Sequence, residues 1–560
     1  MNASTETHYD ALTASRLTTL ERFEADPFLG YSTFEESLED AKFTSQPEAL
    51  ARLFSGKNIF LSGPAGSGKT FLIERFVDWL DAEYEGRVNV AITASTGIAA
   101  QLLGGKTIHS WSGIGINTEK FKQPSKTEWA ARDRIESVDV LVIDEISMLP
   151  AYLFTRLDEL MRYMRKSKAP FGGVQLVVMG DFMQLPPVAK KGAKTADGEE
   201  LDSSFCITTE SWKSASFRAL YLDKVRRAKD PKLKRVLSSI AADKVDQETK
   251  DLIESRLGQP KDPSKKYMTL FTTNKNVDRF NEDRLAENPN AEMRLPIRYH
   301  LDSKHWEPIK KSNGLKEYCQ LKIGATVMLT ANIPDGHSNG SLGEVVGIDP
   351  EGCSVLFNDG IVEYIGYKDY KHMEKRLVRV DVKRGKNVEV YEEETVSIVQ
   401  AVPLKLGYAI SVHKSQGQTF SAVEVDLSYI FSAGLGYVAL SRVSGLEDLV
   451  IVGRTIHPDT YRVDKQSLRY SKATKRAALN RRKETLKNIE DSKRYFPKVS
   501  EEEEETIETD LDLENKNGVP KGFLSYEKML IDPLARAEVW EARIEARMRK
   551  LGNKARSPWG

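Results

Sequence analysis

One stretch limits the folds open to this chain. Asn58–Thr70 reads N-I-F-L-S-G-P-A-G-S-G-K-T and sets Gly63, Gly68, Lys69 and Thr70 at the spacing G-x-x-x-x-G-K-[ST]. The flanks suit it. Ile59, Phe60 and Leu61 form an apolar run fit for a buried strand. Leu72, Ile73, Phe76, Val77 and Leu80 recur at helical spacing. Strand, glycine loop and helix make a phosphate-binding turn. The glycines let the backbone close around phosphate oxygens, and the helix N-terminus offers free N–H groups and partial positive charge. A lysine at position 69 can reach β- and γ-phosphates, and the Thr70 hydroxyl can ligate magnesium. The candidate nucleotide-binding residues are Gly63, Pro64, Ala65, Gly66, Ser67, Gly68, Lys69 and Thr70.

A strand that feeds a phosphate loop belongs to an open α/β sheet, whose ligands gather at the carboxyl ends of its strands. Three further apolar runs end in residues suited to that edge. Val88–Thr93 leads into Ala94-Ser95-Thr96-Gly97. Val138–Ile143 leads into Asp144-Glu145. Gln175–Met179 leads into G-D-F-M-Q-L-P-P, with Gln184 inside it. Asp144 can hold magnesium, and Glu145 can orient or deprotonate an attacking water. Gln184 is open between a γ-phosphate contact and a loop residue bonded to its own backbone. G-G-K-T-I-H-S-W, 104–111, could bind phosphates and stack a base, although composition favours Trp111 in a core. Gln46, ten residues before Gly56, is unremarkable alone.

A second α/β series follows. Ala219–Leu222, Met268–Phe271, Gly324–Leu329, Ala409–Ser411, Val423–Leu427 and Leu449–Val452 read as strands, and Pro231–Ala241 and Asn276–Ala286 as helices. No second phosphate loop occurs, so one nucleotide between two lobes is expected, with Arg227 and Arg442 as candidates to reach it. Between about 343 and 400, short strands separated by D-P-E-G and N-D-G turns predict a small inserted β-barrel. Beyond 456 the strand pattern stops. Residues 472–490 are rich in Lys and Arg, Glu501–Glu505 read as a solvated linker, and Tyr526–Leu551 as an amphipathic helix.

Composition excludes more than it selects. Lys plus Arg and Asp plus Glu are 82 each in 560 residues, so total charge favours no partner class. Cys206, Cys319 and Cys353 lie too far apart for a metal spacing or a disulfide framework, which fits a reducing compartment. No apolar run reaches the length of a membrane span, and an acidic N-terminus argues against a transit peptide.

In order along residues 42–455, these segments resemble superfamily-one DNA helicases of the 5′-to-3′ group, the PIF-type, RecD- and Dda-like enzymes. The resemblance rests on Gln46, G-P-A-G-S-G-K-T, T-A-S-T-G-I-A-A, G-G-K-T-I-H-S-W, V-I-D-E-I-S-M-L and G-D-F-M-Q-L-P-P-V. It continues through T-T-N-K-N-V-D-R-F-N, L-K-I-G-A-T-V-M-L, N-G-S-L-G-E-V, A-I-S-V-H-K-S-Q-G-Q-T-F and Y-V-A-L-S-R. It implies an α/β fold of two RecA-like lobes with parallel sheets, 41–218 and 219–455, and a β-barrel inserted in the second. An N-terminal extension, 1–40, and a helical C-terminal extension, 456–560, flank the lobes.

The resemblance also implies roles. Gln46 contacts adenine, Lys69 the phosphates, Thr70 and Asp144 the Mg2+, and Glu145 the attacking water. Gln184 senses the γ-phosphate, and Arg227 and Arg442 are arginine fingers from the second lobe. Ser95, Thr96, His109, Trp111, Asn274, His413 and Ser415 fall in segments that line a DNA channel. The family's strand-separating wedge maps to 112–134, with Phe121 and Trp129 as candidates. One departure is V-R-R-A at 225–228, where PIF-type chains read F-R-Q, which leaves Arg226 in competition with Arg227. The implied activity is ATP-driven unwinding of DNA in replication, repair or recombination, by a monomer; the short N-terminus favours the cytoplasm of a bacterial or phage-infected cell over a eukaryotic organelle. Its implied partners are single-stranded and forked DNA, with single-strand-binding or replication proteins as candidates, and no membrane. The competing class is an ATPase that remodels protein partners, whose turnover would be indifferent to DNA.

Overall fold

The computed structural model describes residues 18–115, 123–187, 204–228, 230–331, 333, 337, 340–383, 386–495 and 533–551. The chain forms two compact units. The first takes the described residues up to Pro260, Gln416–Ser421, and those from Leu427 onward. The second takes Lys261–Ser415 and Ala422–Asp426.

The first unit is built on a six-stranded sheet in the order β3-β2-β4-β5-β1-β6. Its strands are β1 (Ile59–Ser62), β2 (Val90–Ala94), β3 (Lys106–Thr107), β4 (Val140–Asp144), β5 (Gln175–Gly180) and β6 (Arg218–Tyr221). All the ladders are parallel. A parallel sheet is covered on both faces, so its strands read as continuous apolar runs. Alternate residues then enter different cores. Ile59, Leu61, Val140, Val142, Val177 and Met179 share one cluster. Phe60, Leu141, Ile143, Leu176 and Val178 share the other. Strand β6 pairs with β1 through Tyr221 opposite Ser62. The run 219–222 therefore belongs to the first sheet and not to the second series, a correction that periodicity could not supply because any buried parallel strand looks alike.

Helices α1 (Gln46–Phe54), α2 (Lys69–Tyr84), α3 (Ile108–Ser112), α4 (Ala151–Met164), α5 (Leu435–Leu440), α6 (Lys465–Tyr495) and α7 (Pro533–Leu551) belong to this unit. The last two come from the C-terminal extension and are bound into the lobe. Trp540 of α7 is fully buried and donates its indole N–H to the Phe54 carbonyl at 3.2 Å. Arg536 pairs with Glu83 at 3.1 Å and lies 4.3 Å from the Trp79 ring centroid. Arg547 pairs with Asp139. From α6, Thr485 accepts from the Arg52 guanidinium at 2.7 Å, and Arg52 also pairs with Glu48 at 2.9 Å, both side chains fully buried.

In the second unit, β7 (Tyr267–Phe271) lies parallel to both β18 (Ala409–Ser411) and β19 (Ala422–Asp426). The helix Asn274–Glu287 follows, its N-terminus capped by the Thr273 hydroxyl. The segment expected to be a barrel is antiparallel throughout. One sheet runs β14-β13-β12-β11-β17, made of Val362–Gly366, Gly352–Phe357, Leu342–Asp349, Thr326–Leu329 and Leu404–Leu406. The long hairpin β15 (Lys368–Lys383) and β16 (Lys386–Ala401) pairs with β9 (Arg298–Leu301), and β8 (Glu292–Pro296) pairs with β10 (Tyr318–Lys322). The predicted turns are present. Asp349 accepts from the Glu351 N–H, and Asp359 from the Ile361 N–H. A cavity of about 590 Å³ lies within this unit, lined in part by Asn281, Leu295, Leu404, Lys405 and Lys414. Burial and the neighbouring Lys414 push the Lys405 ammonium down to about 8.

Candidate active site

The phosphate loop leaves β1 at Ser62 and enters α2 at Lys69. Gly66 and Gly68 hold φ of +78° and +88°. A Cβ on Gly66 would lie 2.4 Å from the Arg227 Cβ, and one on Gly68 would displace the Gln46 Nε2, 2.4 Å away, besides straining the backbone. The Lys69 ammonium is folded onto the loop, donating to the carbonyls of Gly63 at 2.8 Å and Pro64 at 3.1 Å. Burial pushes it below the ordinary lysine range, while Asp181, Glu145 and Asp144 pull it back.

Asp144 ends β4, and Glu145 turns the chain in the left-handed region at φ 50°. A non-glycine residue held there stores about 1–3 kcal/mol of strain, which clusters at functional sites. The Glu145 N–H donates to Asp144 Oδ1 at 2.7 Å, and its carboxylate accepts from Gln416 Nε2 at 2.9 Å. Burial, with the Glu145 charge beside it, raises Asp144 to about 8, and burial raises Glu145 against the pull of Lys69. Two buried carboxylates raised together form a site that gains from a cation.

The loop after β5 completes that side. Asp181 accepts from Tyr437 Oη at 3.3 Å and from the Met183 N–H at 3.0 Å, and burial raises its carboxyl. Gln184 is 6% exposed. Gly434, just before α5, lies so close that a Cβ there would be 2.5 Å from the Gln184 carbonyl. Helix α5 delivers Arg442 at 1% exposure. Its guanidinium donates to the carbonyls of Val438 at 2.8 Å and Gln418 at 3.0 Å, and to Ser441 Oγ at 2.7 Å. Burial and the nearby Arg227 lower it to about 10.

The N–H groups of Arg226 and Arg227 both donate to the Gly66 carbonyl. The Arg227 side chain faces Glu145 and Arg442, whereas Arg226 faces Tyr31 and Asp40. The geometry therefore favours Arg227 as the residue directed to the centre. Both Arg227 and Arg442 lie in the unit that holds the phosphate loop. Arg227 follows β6 and so leaves the first sheet, which corrects its expected origin in the second lobe, while α5 packs the segment of Arg442 against the Gln184 loop.

Four polar atoms around this centre are buried without a hydrogen-bond partner among the described residues: Gln46 Nε2, Ser67 Oγ, Gln184 Oε1 and Gln416 Oε1. Each unmet group costs about 1–3 kcal/mol, and a polyanionic, hydrogen-bonding ligand would meet them. The described residues contain no cluster of three His, Cys, Asp or Glu able to hold a metal alone. Thr70 with Asp144 suits an ion that draws its remaining ligands from phosphate and water, the habit of Mg2+.

The expected DNA-facing residues are less uniform. Ser95 Oγ donates to the Glu145 carbonyl at 2.9 Å, Thr96 Oγ1 accepts from the Ala99 N–H, and His109 Nδ1 donates to the Ile114 carbonyl at 2.9 Å. Trp111 is corrected: at 5% exposure it packs among Ile108, Ile135 and Leu141 in a core, where its ring has no face open to a base. In the second unit Asn274 is exposed and His413 half-buried, its pKa lowered by burial. Ser415 is fully buried and donates to the Val412 carbonyl at 2.8 Å, so its hydroxyl is not presented to a ligand. Of the wedge candidates, Phe121 lies outside the described residues. Trp129 is 42% exposed, edge-on to Tyr163 at 6.1 Å.

Sequence reasoning passed over Gln416, Asp181 and Tyr437. Gln416 and Asp181 sit inside segments already singled out, one residue from Ser415 and from Gly180. Nothing in the pattern around Tyr437 marks it.

A phosphate loop, a paired carboxylate at the end of β4, a buried glutamine and two convergent arginines define a P-loop nucleoside triphosphatase. The PIF1-like helicase family model matches residues 46–265. The ATP-dependent DNA helicase Pif1 of Psychrobacter sp. (strain PRwf-1) is 35% identical over 455 residues, covering 73% of this chain and 67% of that one. Its namesake in Bdellovibrio bacteriovorus is 33% identical, covering 76% and 91%. The crystal structure of Bacteroides Pif1 bound to single-stranded DNA superimposes with a TM-score of 0.63 at 28% identity, over 78% of this chain and 97% of that one. Pif1 from Candida albicans gives 0.64 at 27% identity, over 76% and 98%. The chain belongs to the PIF1-like helicase family.

Proposed function

We propose that this protein is an ATP-dependent DNA helicase that moves 5′ to 3′ along single-stranded DNA and opens the duplex ahead of it. The observation that supports it best is the gathering of Lys69, Asp144, Glu145, Gln184, Arg227 and Arg442 at one sheet edge, with unmet buried donors and acceptors around them.

In this reading Gln46 reads the adenine, and the loop N–H groups of 63–68 cradle the phosphates. Lys69 leaves the Gly63 and Pro64 carbonyls for the β- and γ-phosphates. Thr70 and Asp144 would hold Mg2+, which neutralises charge on the phosphates when bound. Glu145, steadied by Gln416, orients the attacking water and takes its proton. Arg227 and Arg442 stabilise charge on the transferring group, and Gln184 reports the γ-phosphate to the rest of the molecule. Asn274, His413, Ser95, Thr96 and His109 belong to the segments that grip the strand. Opening one base-pair step costs about 1.4 kcal/mol in stacking, close to a tenfold equilibrium penalty, so progress over many pairs requires coupled hydrolysis. The protein would act as a monomer in the cytoplasm on single-stranded and forked DNA, beside single-strand-binding or replication proteins.

The test is ATP-driven unwinding of two partial duplexes, one with a 5′ tail and one with a 3′ tail. The 5′-tailed substrate opens. Opening of the 3′-tailed duplex alone reverses the polarity, and opening of neither removes the helicase reading.

A further inference from the structure

Helix α6 carries a feature that the nucleotide site leaves unused. Between Lys465 and Lys487 it has nine Lys and Arg and a single acid, Glu484, in a chain whose opposite charges balance overall. Three of the nine are turned toward the protein. Lys475 lies 4.8 Å from the Tyr221 ring centroid, Arg482 donates to the Leu38 carbonyl, and the Arg481 Nε is buried. The other six, Lys465, Arg469, Lys472, Arg476, Lys483 and Lys487, are all exposed. Their spacing of three, four and seven residues puts them within an arc of about 60° at 100° per residue, along about 33 Å of helix. The face opposite is the buried one, with Ser467, Ser471, Thr474, Ala478 and Thr485 against the lobe. None of the six has an ion-pair partner among the described residues.

We infer that this stripe binds the phosphate backbone of duplex DNA, outside the hydrolytic centre; the inference rests on the helicase reading above. Six like charges on one side of a helix repel one another and cost stability unless a polyanion meets them. The helix is pinned along its other side, so the row is presented as a straight, rigid line. Its length is close to one duplex turn of about 34 Å. Surfaces that hold single strands interleave cations with aromatic platforms; this row has no aromatic residue, which suits backbone contact without stacking. The ligand is then the duplex arm of a tailed or forked substrate, held without regard to sequence.

The experiment combines Arg469→Ala, Lys472→Ala, Arg476→Ala and Lys483→Ala in the full chain. Fluorescence anisotropy follows binding of a 5′-tailed duplex and of a single strand equal in length to the tail, between about 50 and 200 mM salt. A melting temperature no lower than that of the wild type certifies the fold, and Lys472→Glu alone replaces the combination if that fails. Affinity for the tailed duplex falls at least tenfold at low salt. The slope of log K against log salt shrinks by about 0.9 for each cation that meets a phosphate, while single-strand affinity changes little. Unchanged slope and affinity overturn the inference. An equal loss on the single strand overturns the duplex assignment. Tighter DNA binding would mean that the cations serve the acidic run Glu501–Glu505 of the same chain. A wild-type protein that binds neither DNA counts against the helicase reading itself.

Discussion

Arg442 is a fully charged group held at 1% exposure, and burial of that kind persists in proteins when the charge has an anion to meet. Arg442→Ala therefore keeps nucleotide affinity within a few-fold, as read with a fluorescent ATP analogue, and lowers turnover by about 10³-fold, the scale of a lost arginine finger. Lys69→Ala removes the cation that the loop carbonyls now hold and that the phosphates would take. Its ATP hydrolysis falls to background in a steady-state assay while DNA binding survives; full turnover would displace Lys69 from the centre. Lys405 gives the pH-dependent case. Its folded value of about 8 lies below the ordinary lysine range, so the folded state binds fewer protons between pH 8 and about 10.4. Stability rises with pH through that window and carries the full penalty at pH 7. Lys405→Met thus stabilises the protein at pH 7, by about 1–3 kcal/mol at most, and the gain fades toward pH 10 in thermal melts run as a pH series.

At the scale of elements, the C-terminal helices are parts of the first lobe. Trp540 completes the core beside Phe54, Phe76 and Trp79. Trp540→Ala costs about 3–5 kcal/mol, measured by denaturant unfolding, and an effect below 1 kcal/mol would place α7 outside the core. Helix α6 reaches the hydrolytic loop itself: the Tyr470 ring lies 6.0 Å from that of Phe182, and Lys475 and Asp181 perturb one another. An extension that periodicity marked only as basic and helical thus buttresses the loop that carries Gln184. Its packing was invisible in sequence because the buried face of α6 is made of Ser, Thr and Ala, which carry no hydrophobic stripe. The misassigned β6 has the same origin, since a parallel strand buried on both faces does not name its neighbours.

At the scale of the molecule, hydrolysis must answer to the strand being gripped. ATP turnover rises on addition of single-stranded DNA, and the DNA concentration giving half the stimulation climbs steeply as salt goes from about 50 to 200 mM, because phosphate contacts release counterions. Turnover indifferent to DNA would favour the protein-remodelling class. The hydrolytic residues gather in one unit, whereas Asn274, His413 and Ser415 sit in the other and Ser95, Thr96 and His109 in the first.

The sequence by itself determined the candidate nucleotide site. Glycines at 66 and 68, Lys69, Thr70 and Asp144-Glu145 are tied to it by backbone conformation and by position at strand ends, both local properties that spacing records. It also determined the family, through the order of its segments. Tertiary structure alone decided that Trp111 is core and Ser415 internal, and that Arg227 rather than Arg226 faces Glu145. It alone set Gln416 on the Glu145 carboxylate and turned six cations of α6 outward in one row. Those outcomes depend on which surfaces meet across long separations in the chain, and a residue's type and local spacing carry no record of its distant neighbours.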